Sequence, residues 1–383
     1  MRRWELLLLS YSVFCCQLSV TVIAPIIGLW IEKYGETFLT AGAIFSSFMA
    51  TSVPLQLVGG VLSDRAGRRL FIAMGLALYS ISSLLFVAER GPIDLMCLRA
   101  LQGVGAGFFM PSAAAYIADA TKLEERGGAM SVYNAGLGAG LALGPLVGGA
   151  LARSLSIHSP FILAGVLLAS ACVLSALTLK RTTVGRRRHS MLAVRSCSKL
   201  LFIACLSAFL GLGVAGIMES VFSPHAILSL GVSEFEVGLA LTGMFIAYSL
   251  SQPLLKLFMG RAGEELTVAL GFALCSGGLL AVAYTSSFTV IALSLLAVGV
   301  GLGSLVLGSM TRASKSSPSG ELHGAVMGVY HSSMYVGMGL IPIAAGVLSD
   351  LYGAPSTFAL TSLVLAAYTI ALVLLSMRTR GKV

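Results

Sequence analysis

Long apolar stretches separated by short polar segments run along almost the whole chain. A helix that crosses the ~30 Å hydrocarbon layer needs about 20 mainly apolar residues, because every backbone N–H and C=O must be satisfied within the membrane. Twelve stretches meet this requirement and predict an all-α integral membrane protein. The predicted transmembrane helices are 6–30, 38–62, 70–88, 93–117, 128–151, 160–179, 200–222, 237–258, 266–284, 288–311, 324–348 and 357–377.

The longest polar connection lies between the sixth and the seventh of these spans. It carries seven of the lysines and arginines within 180–199. We therefore expect three parts: an N-terminal six-helix bundle (1–179), a basic cytoplasmic linker (180–199) and a C-terminal six-helix bundle (200–383).

The two halves resemble each other in sequence at a spacing near 197 residues. The segment 64–67 is matched by 260–263, each after the second span of its half, and 127–133 is matched by 324–330, each at the start of the fifth span. Matches in the same order indicate duplication of a six-helix unit. Two pseudo-symmetric bundles of this kind are typical of transporters, which expose a cavity to alternate sides of the membrane.

Composition and charge support a membrane protein. Hydrophobic residues make up 57% of the chain and charged residues 11%, against about 25% in soluble domains. Of the 25 lysines and arginines, 21 fall on one predicted side of the membrane, which predicts that both termini are cytoplasmic in a plasma or inner membrane. The net charge of +9 therefore reflects topology and not a nucleic-acid partner. Contact of the linker with anionic membrane lipid stays open as an alternative.

Motifs for catalysis, metal binding or nucleotide binding are missing from the sequence. There is no Gly-x-x-x-x-Gly-Lys-Ser/Thr loop, no His-Glu-x-x-His cluster and no Gly-x-Ser-x-Gly elbow with a nearby acid and base. We expect no catalytic residues, no metal and no cofactor, and transport driven by a gradient. A membrane enzyme and a non-transporting membrane sensor are the less favoured alternatives.

The charged segment between the second and third spans is the most specific motif. Gly60-Val61-Leu62-Ser63-Asp64-Arg65-Ala66-Gly67-Arg68-Arg69 resembles the signature of the major facilitator superfamily, Gly-x-Leu-Ala-Asp-Arg-x-Gly-Arg-Arg/Lys. The resemblance implies that Asp64 latches the carrier by meeting the N-terminus of the eleventh helix and a nearby arginine, here Arg126. We assign Gly60, Asp64, Arg65, Gly67, Arg68 and Arg126 to this latch. In the second-half copy Gly260 replaces Asp64, and Glu264-Glu265 replace Arg68-Arg69.

Two further elements carry the same resemblance. Arg99-Ala100-Leu101-Gln102-Gly103 is similar to an Arg-x-x-Gln-Gly element in the fourth helix of the family. The fifth span is similar to the Gly-Pro-x-x-Gly-Gly element of its multidrug/proton antiporters, and its small residues four apart predict close helix packing. The packing residues are Gly140, Gly144, Pro145, Gly148 and Gly149.

Few polar side chains lie inside the predicted spans. An ionisable residue at membrane depth is a functional candidate, and proton coupling needs a group that titrates. The candidates for the cavity or for coupling are Arg99, Gln102, Gln17, Asn134, Glu219 and His331. We expect a monomeric secondary transporter that exports a small organic solute by alternating access, with protons as the coupled ion. A metabolite uniporter or symporter is the alternative.

Overall fold

The structure is a computed structural model, and it describes residues 2–180, 199–316 and 320–380. These residues form helices and short connections, with no strand among them. Twelve of the helices are long and apolar enough to cross a membrane, which confirms the predicted number of spans for the described part of the chain. The linker residues 181–198 lie outside it.

The described residues form two compact units. Unit 1 contains residues 2–36, 43–180 and 233–242, and unit 2 contains residues 37–42, 199–232, 243–316 and 320–380. The helices are α1 (Arg3–Thr21), α2 (Ile27–Tyr34), α3 (Phe38–Ala66), α4 (Arg68–Leu85), α5 (Pro92–Ala120), α6 (Leu123–Ser154), α7 (Ser159–Thr178), α8 (Lys199–Ile217), α9 (Glu234–Ala262), α10 (Glu264–Tyr284), α11 (Phe288–Lys315), α12 (Gly320–Tyr352) and α13 (Ala354–Arg380).

Both units use the same packing plan. In unit 1, α1 packs on α6, and α4 packs on α5 and α7. In unit 2, α8 packs on α12, and α10 packs on α11 and α13. Each helix of the first set has its counterpart about 196 residues later in the second, as expected for a duplicated bundle.

Two predicted spans differ in detail from the sequence-based expectation. The span predicted over 6–30 is interrupted, because α1 ends at Thr21 and α2 begins at Ile27. The span predicted over 200–222 changes to π-helix at Met218–Phe222. A second π-helical turn covers His225–Ser229. The two irregular segments, 22–26 and 218–222, lie 196 residues apart and are therefore equivalent positions of the repeat.

Candidate functional site

The interruption of the first membrane helix is held by a cation from α5. Arg99 donates from Nη1 to the carbonyl oxygen of Val20 at 3.3 Å. Carbonyls in the last turn of a helix lack intrahelical partners, and the helix dipole favours a positive charge at that end. Arg99 therefore stabilises the C-terminal end of α1.

Three uncharged side chains complete a polar network around this cation. Arg99 Nη1 also donates to Gln102 Oε1 at 3.0 Å. Gln102 Nε2 donates to Ser19 Oγ at 3.2 Å and to Ser83 Oγ at 3.3 Å, and the two hydroxyls are 2.8 Å apart. All four side chains have 0% exposure. Arg99 and Gln102 share one face of α5 because they are three residues apart, so the network joins α1, α4 and α5.

Aromatic rings of α3 cover the guanidinium. The Arg99 Cζ atom is 5.5 Å from the ring centroid of Phe45 and 4.9 Å from that of Phe48. Such cation–π contacts contribute about 0.5–2 kcal/mol, depending on desolvation. Since the arginine side chain stays charged at any ordinary pH, Arg99 is suited to positioning the interrupted helix and not to taking up and releasing a proton.

The motif glycines of α6 lie where this helix crosses α1. A Cβ atom at Gly140 would collide with Phe14 O, at Gly144 with Thr21 Oγ1, and at Gly148 with Val22 O. The predicted close packing thus has α1 and the segment after it as its partner. Gln17 lies at the same crossing and is half-buried, whereas Asn134 is exposed on α6.

The same stretch of α6 also contacts the first turns of α9, residues 234–242, which belong to the same unit. A Cβ atom at Gly149 would collide with Glu234 O. Thr242 Oγ1 donates to Ala142 O at 2.8 Å and accepts from Leu146 N at 3.1 Å. The threonine hydroxyl therefore bridges a donor and an acceptor of the α6 hydrogen-bond ladder beside Pro145, which has no N–H to donate.

In unit 2 the equivalent irregular segment carries an acid. Glu219 lies in the π-helical turn at Met218–Phe222 and is 1% exposed. Three further buried polar side chains follow it: Ser220 and Ser223 at 0% and His225 at 4% exposure. Single π-helical turns inside membrane helices occur frequently at functional sites. This segment therefore places a titratable group in the interior of unit 2.

His331 lies on α12 in a different environment. Its Nδ1 is 2.8 Å from Met327 O, and its ring meets the Tyr330 ring edge-on at 5.4 Å between centroids. Tyr330 in turn shares a hydrogen bond of 2.9 Å with Ser309 Oγ. These contacts hold the His331 ring in place. The side chain is only half-buried, whereas Glu219 is almost completely buried.

The charged segment where α3 ends and α4 begins is centred on Arg68. Its guanidinium pairs with Asp64 and donates to Ser63 Oγ at 2.7 Å and to Gly60 O at 3.4 Å. Its Nε is 3.3 Å from Asp119 Oδ2 on α5. Gly67 has φ +99°, a conformation that L residues with side chains rarely adopt. The motif thus builds a tight turn whose arginine binds two carboxylates.

The other predicted latch residues have separate surroundings. Arg65 is exposed, and Arg126 donates from Nη2 to Ala118 O at 2.7 Å. The predicted contact of Asp64 with the start of the eleventh span stays a prediction.

A second buried carboxylate lies in unit 1 between α2, α4 and α7. The Glu89 side chain is 0% exposed and accepts hydrogen bonds from Trp30 Nε1 at 3.2 Å, Lys33 Nζ at 2.7 Å and the Tyr34 hydroxyl. Burial alone would raise the pKa of Glu89, but the bonds from Lys33 and Tyr34 outweigh it and lower the pKa. The hydrogen bond to Glu89 raises the pKa of Lys33. His158 Nε2 lies 4.0 Å from Glu89 Oε1.

Sequence reasoning missed several partners in these clusters. Asp119 could have been found, since an acid at the end of the fourth span is a natural partner for the motif arginines. Ser19 and Ser83 gave no signal, because serines are common in membrane helices and their pairing depends on tertiary packing. Among the described residues, no group of three or more His, Cys, Asp or Glu side chains is arranged to hold a metal ion.

Comparison with known proteins agrees with this architecture. The sequence profile of the Major Facilitator Superfamily matches residues 9–224 and 201–383. Multidrug resistance protein 2 of Bacillus subtilis is 27% identical over 359 residues, covering 90% of this chain and 88% of that protein. Quinolone resistance protein NorA of Staphylococcus aureus is 25% identical over 366 residues, covering 91% and 90%. The crystal structure of a bacterial homologue of the human lysosomal transporter Spinster, inward-facing and occupied, superimposes with a TM-score of 0.85 at 17% identity, covering 99% and 97%.

Twelve membrane helices in a duplicated bundle, with buried polar groups at equivalent irregular segments, define a multi-pass membrane carrier. The chain belongs to the Major Facilitator Superfamily. Its function is secondary transport of small-molecule solutes, and its resemblance is to the multidrug branch of that superfamily.

Proposed function

We propose that this carrier exports small organic solutes in exchange for protons. The observation that carries the proposal is the buried acid Glu219 in the irregular part of the seventh membrane helix. A carboxyl group buried in a membrane helix is a functional candidate, because its charged form is strongly disfavoured there unless it is compensated. Such a group changes its protonation when its surroundings change.

The other candidate residues fit supporting roles. Gln17, Gln102 and Asn134 do not titrate, and Arg99 stays charged. His331 is the remaining titratable candidate, and it is less buried than Glu219. We therefore assign proton coupling to Glu219 and the positioning of the first membrane helix to Arg99.

Similarity to relatives supports the direction and the solute class. The two named relatives are a multidrug and a quinolone resistance protein, and each aligns along almost its whole length. We infer an amphipathic organic solute, a monomeric carrier in the plasma membrane and cytoplasmic termini, the last from the distribution of lysine and arginine.

Transport into proteoliposomes that contain the purified chain tests this proposal. With ethidium as the probe, an imposed proton gradient is expected to drive accumulation of ethidium on the acidic side. Glu219→Gln is expected to abolish driven accumulation while leaving ethidium exchange at equal pH on both sides. Glu32→Gln, which removes an exposed acid outside the spans, is the matched control and is expected to behave as the wild type.

Other results would contradict the proposal in distinct ways. Ethidium exchange by the wild type that is indifferent to pH would favour a uniporter. Loss of coupling in His331→Asn, with normal coupling in Glu219→Gln, would move the proton site to α12.

A further inference from the structure

The beginning of α3 is capped by a residue from another helix. Phe38 N donates to Asp350 Oδ1 at 2.8 Å, and Leu39 N donates to Asp350 Oδ2 at 3.0 Å. Asp350 lies in the last turn of α12, and both segments belong to unit 2. The first backbone N–H groups of a helix have no intrahelical partner, so the carboxylate satisfies two donors that α3 itself leaves open.

The equivalent helix start in the repeat is capped differently. The start of α9 carries Ser233 and Glu236, which form a capping box: Ser233 N and Oγ donate to Glu236 Oε2 at 3.0 and 2.6 Å, and Glu236 N approaches Ser233 Oγ at 3.4 Å. The corresponding positions of α3 are Thr37 and Thr40. α3 has no acidic residue in its first turn, so it lacks the second member of the box.

The residue equivalent to Asp350 has the opposite charge. Arg153 lies 197 residues earlier, in the last turn of α6, and donates from Nη1 to Ser233 Oγ at 2.9 Å. Its contact adds to a cap that α9 already completes by itself. The two equivalent helix starts therefore differ: α9 carries a complete capping box, whereas α3 has only the Thr37 hydroxyl, which accepts from Thr40 N at 3.4 Å, and takes its carboxylate from α12.

The helices approach closely at both crossings, so small changes in the caps act on tightly packed backbones. A Cβ atom at Gly346 of α12 would lie 2.6 Å from Phe38 O. A Cβ atom at Gly149 of α6 would likewise collide with Glu234 O. Residues 38–42 of α3 belong to unit 2, while residues 43–66 of the same helix belong to unit 1. α3 is thus a helix whose first turns and remaining turns belong to different compact units.

We propose that Asp350 is a positioning residue for the transport cycle, which ties the first turn of α3 to α12 and releases it when the carrier changes state. Asp350 is exposed, so water can replace it at low cost when the tie opens. A charged acceptor at a helix N-terminus forms stronger hydrogen bonds than a neutral one. The cap is a property of the fold alone, and its effect on turnover rests on the proposed function.

Hydrogen–deuterium exchange of the purified carrier tests the cap without any solute. In Asp350→Asn, one amide-accepting oxygen and the charge are lost, and we expect exchange in the peptide over 37–42 to become about five- to tenfold faster. Asp350→Glu is expected to restore most of the protection. Arg153→Gln is the matched control, expected to leave both 37–42 and the internally capped start of α9 within about twofold of the wild type. Unchanged exchange in Asp350→Asn would overturn the proposal.

A second variant separates capping from tying. Thr40→Glu in the Asp350→Asn background supplies the missing capping-box acid, which accepts from Thr37 N as Glu236 accepts from Ser233 N. It stabilises the first turn of α3 from within and is therefore expected to restore part of the amide protection over 37–42. The tie to α12 stays absent, so the maximal rate of ethidium exchange is expected to remain about two- to fivefold away from the wild type, with an unchanged half-saturating concentration. Full recovery of that rate would show that Asp350 only caps the helix and would overturn the tie. If the wild type moves no ethidium, the proposed function fails. The hydrogen–deuterium exchange of Asp350→Asn still decides whether Asp350 caps α3.

Discussion

Glu264 and Lys315 form an ion pair of 2.9 Å with reversed polarity relative to its counterpart in the first half. The counterpart is Arg68 with Asp119, at 3.3 Å, and each residue lies 196 positions before its equivalent. Both pairs join the start of the third helix of a half to the end of the fourth. The duplication has therefore retained the ion pair while its charges were exchanged.

The two pairs are expected to respond differently to a charge swap. In the second half, Glu264→Lys with Lys315→Glu restores the pair, because Gly260 at the position of Asp64 adds no charge. In the first half, Arg68→Glu with Asp119→Lys places a carboxylate four residues after Asp64, where like charges repel. Thermal unfolding of the purified carrier is expected to be unchanged within error for the first double variant and clearly lowered for the second.

Burial sets the size of this difference. The Arg68 side chain is 8% exposed, whereas that of Lys315 is 57% exposed. Exposed ion pairs contribute about 0–1 kcal/mol, and removing one partner of a buried pair costs about 3–5 kcal/mol. Equal losses of stability in the two double variants would contradict this interpretation.

Asp64 is expected to matter for transport more than for assembly. Asp64→Asn removes one of the two carboxylates that bind Arg68 but keeps the side-chain volume and leaves Asp119 in place. We expect normal insertion into the membrane with transport reduced several-fold, measured as ethidium exchange per inserted molecule. A well-expressed variant with full transport would remove Asp64 from the latch.

Arg99 is expected to act through the interrupted first helix. Arg99→Lys keeps a charge but loses the planar fork that contacts Val20 and Gln102 together, so it is expected to lose most exchange activity. Gln102→Glu keeps an acceptor for Arg99 and loses the donor to Ser19 and Ser83. If the network positions α1, both variants are expected to lower the unfolding temperature and to change the maximal rate more than the half-saturating concentration. A large change in half-saturation alone would instead indicate direct solute contact by Arg99.

The glycines of α6 allow a test with a control in the same helix. Gly144→Ala would place a methyl group on Thr21 Oγ1, whereas Gly128 has open space around the position of a Cβ atom. We expect Gly144→Ala to destabilise the carrier by about 1–3 kcal/mol through overpacking. Gly128→Ala is expected to be neutral or stabilising by up to about 1 kcal/mol, because alanine favours helix. The measurement is thermal unfolding in one detergent, and a Gly144→Ala variant as stable as Gly128→Ala would contradict close packing at this crossing.

The spans and the motif turns were predictable because their signals are local. Length, hydropathy and the positions of Gly67 and Pro145 depend on the nearby sequence alone. The interruption after Thr21 has one local signal that the sequence-based prediction passed over, because Pro25 lacks an N–H and disfavours a continuous helix. The cation that stabilises the break comes from α5, and hydropathy does not reveal it. The cap on α3 was missed for the same reason: Asp350 is more than 300 residues from Phe38, and only the folded chain brings them together.

The Glu89 cluster is expected to make stability depend on pH at the acidic end. The hydrogen bonds from Lys33 and Tyr34 hold the pKa of Glu89 below its ordinary value of 4.5 in the folded protein. A carboxylate with a lowered folded pKa contributes stability above its unfolded pKa, and this contribution is lost as the pH falls through the folded value. The pKa of Lys33 is raised above 10.5, so the pair is complete between about pH 5 and pH 10. We expect the wild type to lose more stability between about pH 6 and about pH 3 than Glu89→Gln does, because the loss begins near the unfolded pKa and continues down to the lower folded pKa. Urea unfolding in detergent at both pH values measures this difference, with Glu32→Gln as the control for an exposed acid on α2. Equal pH dependence in wild type and Glu89→Gln would show that this buried carboxylate adds nothing to the acid sensitivity of the fold.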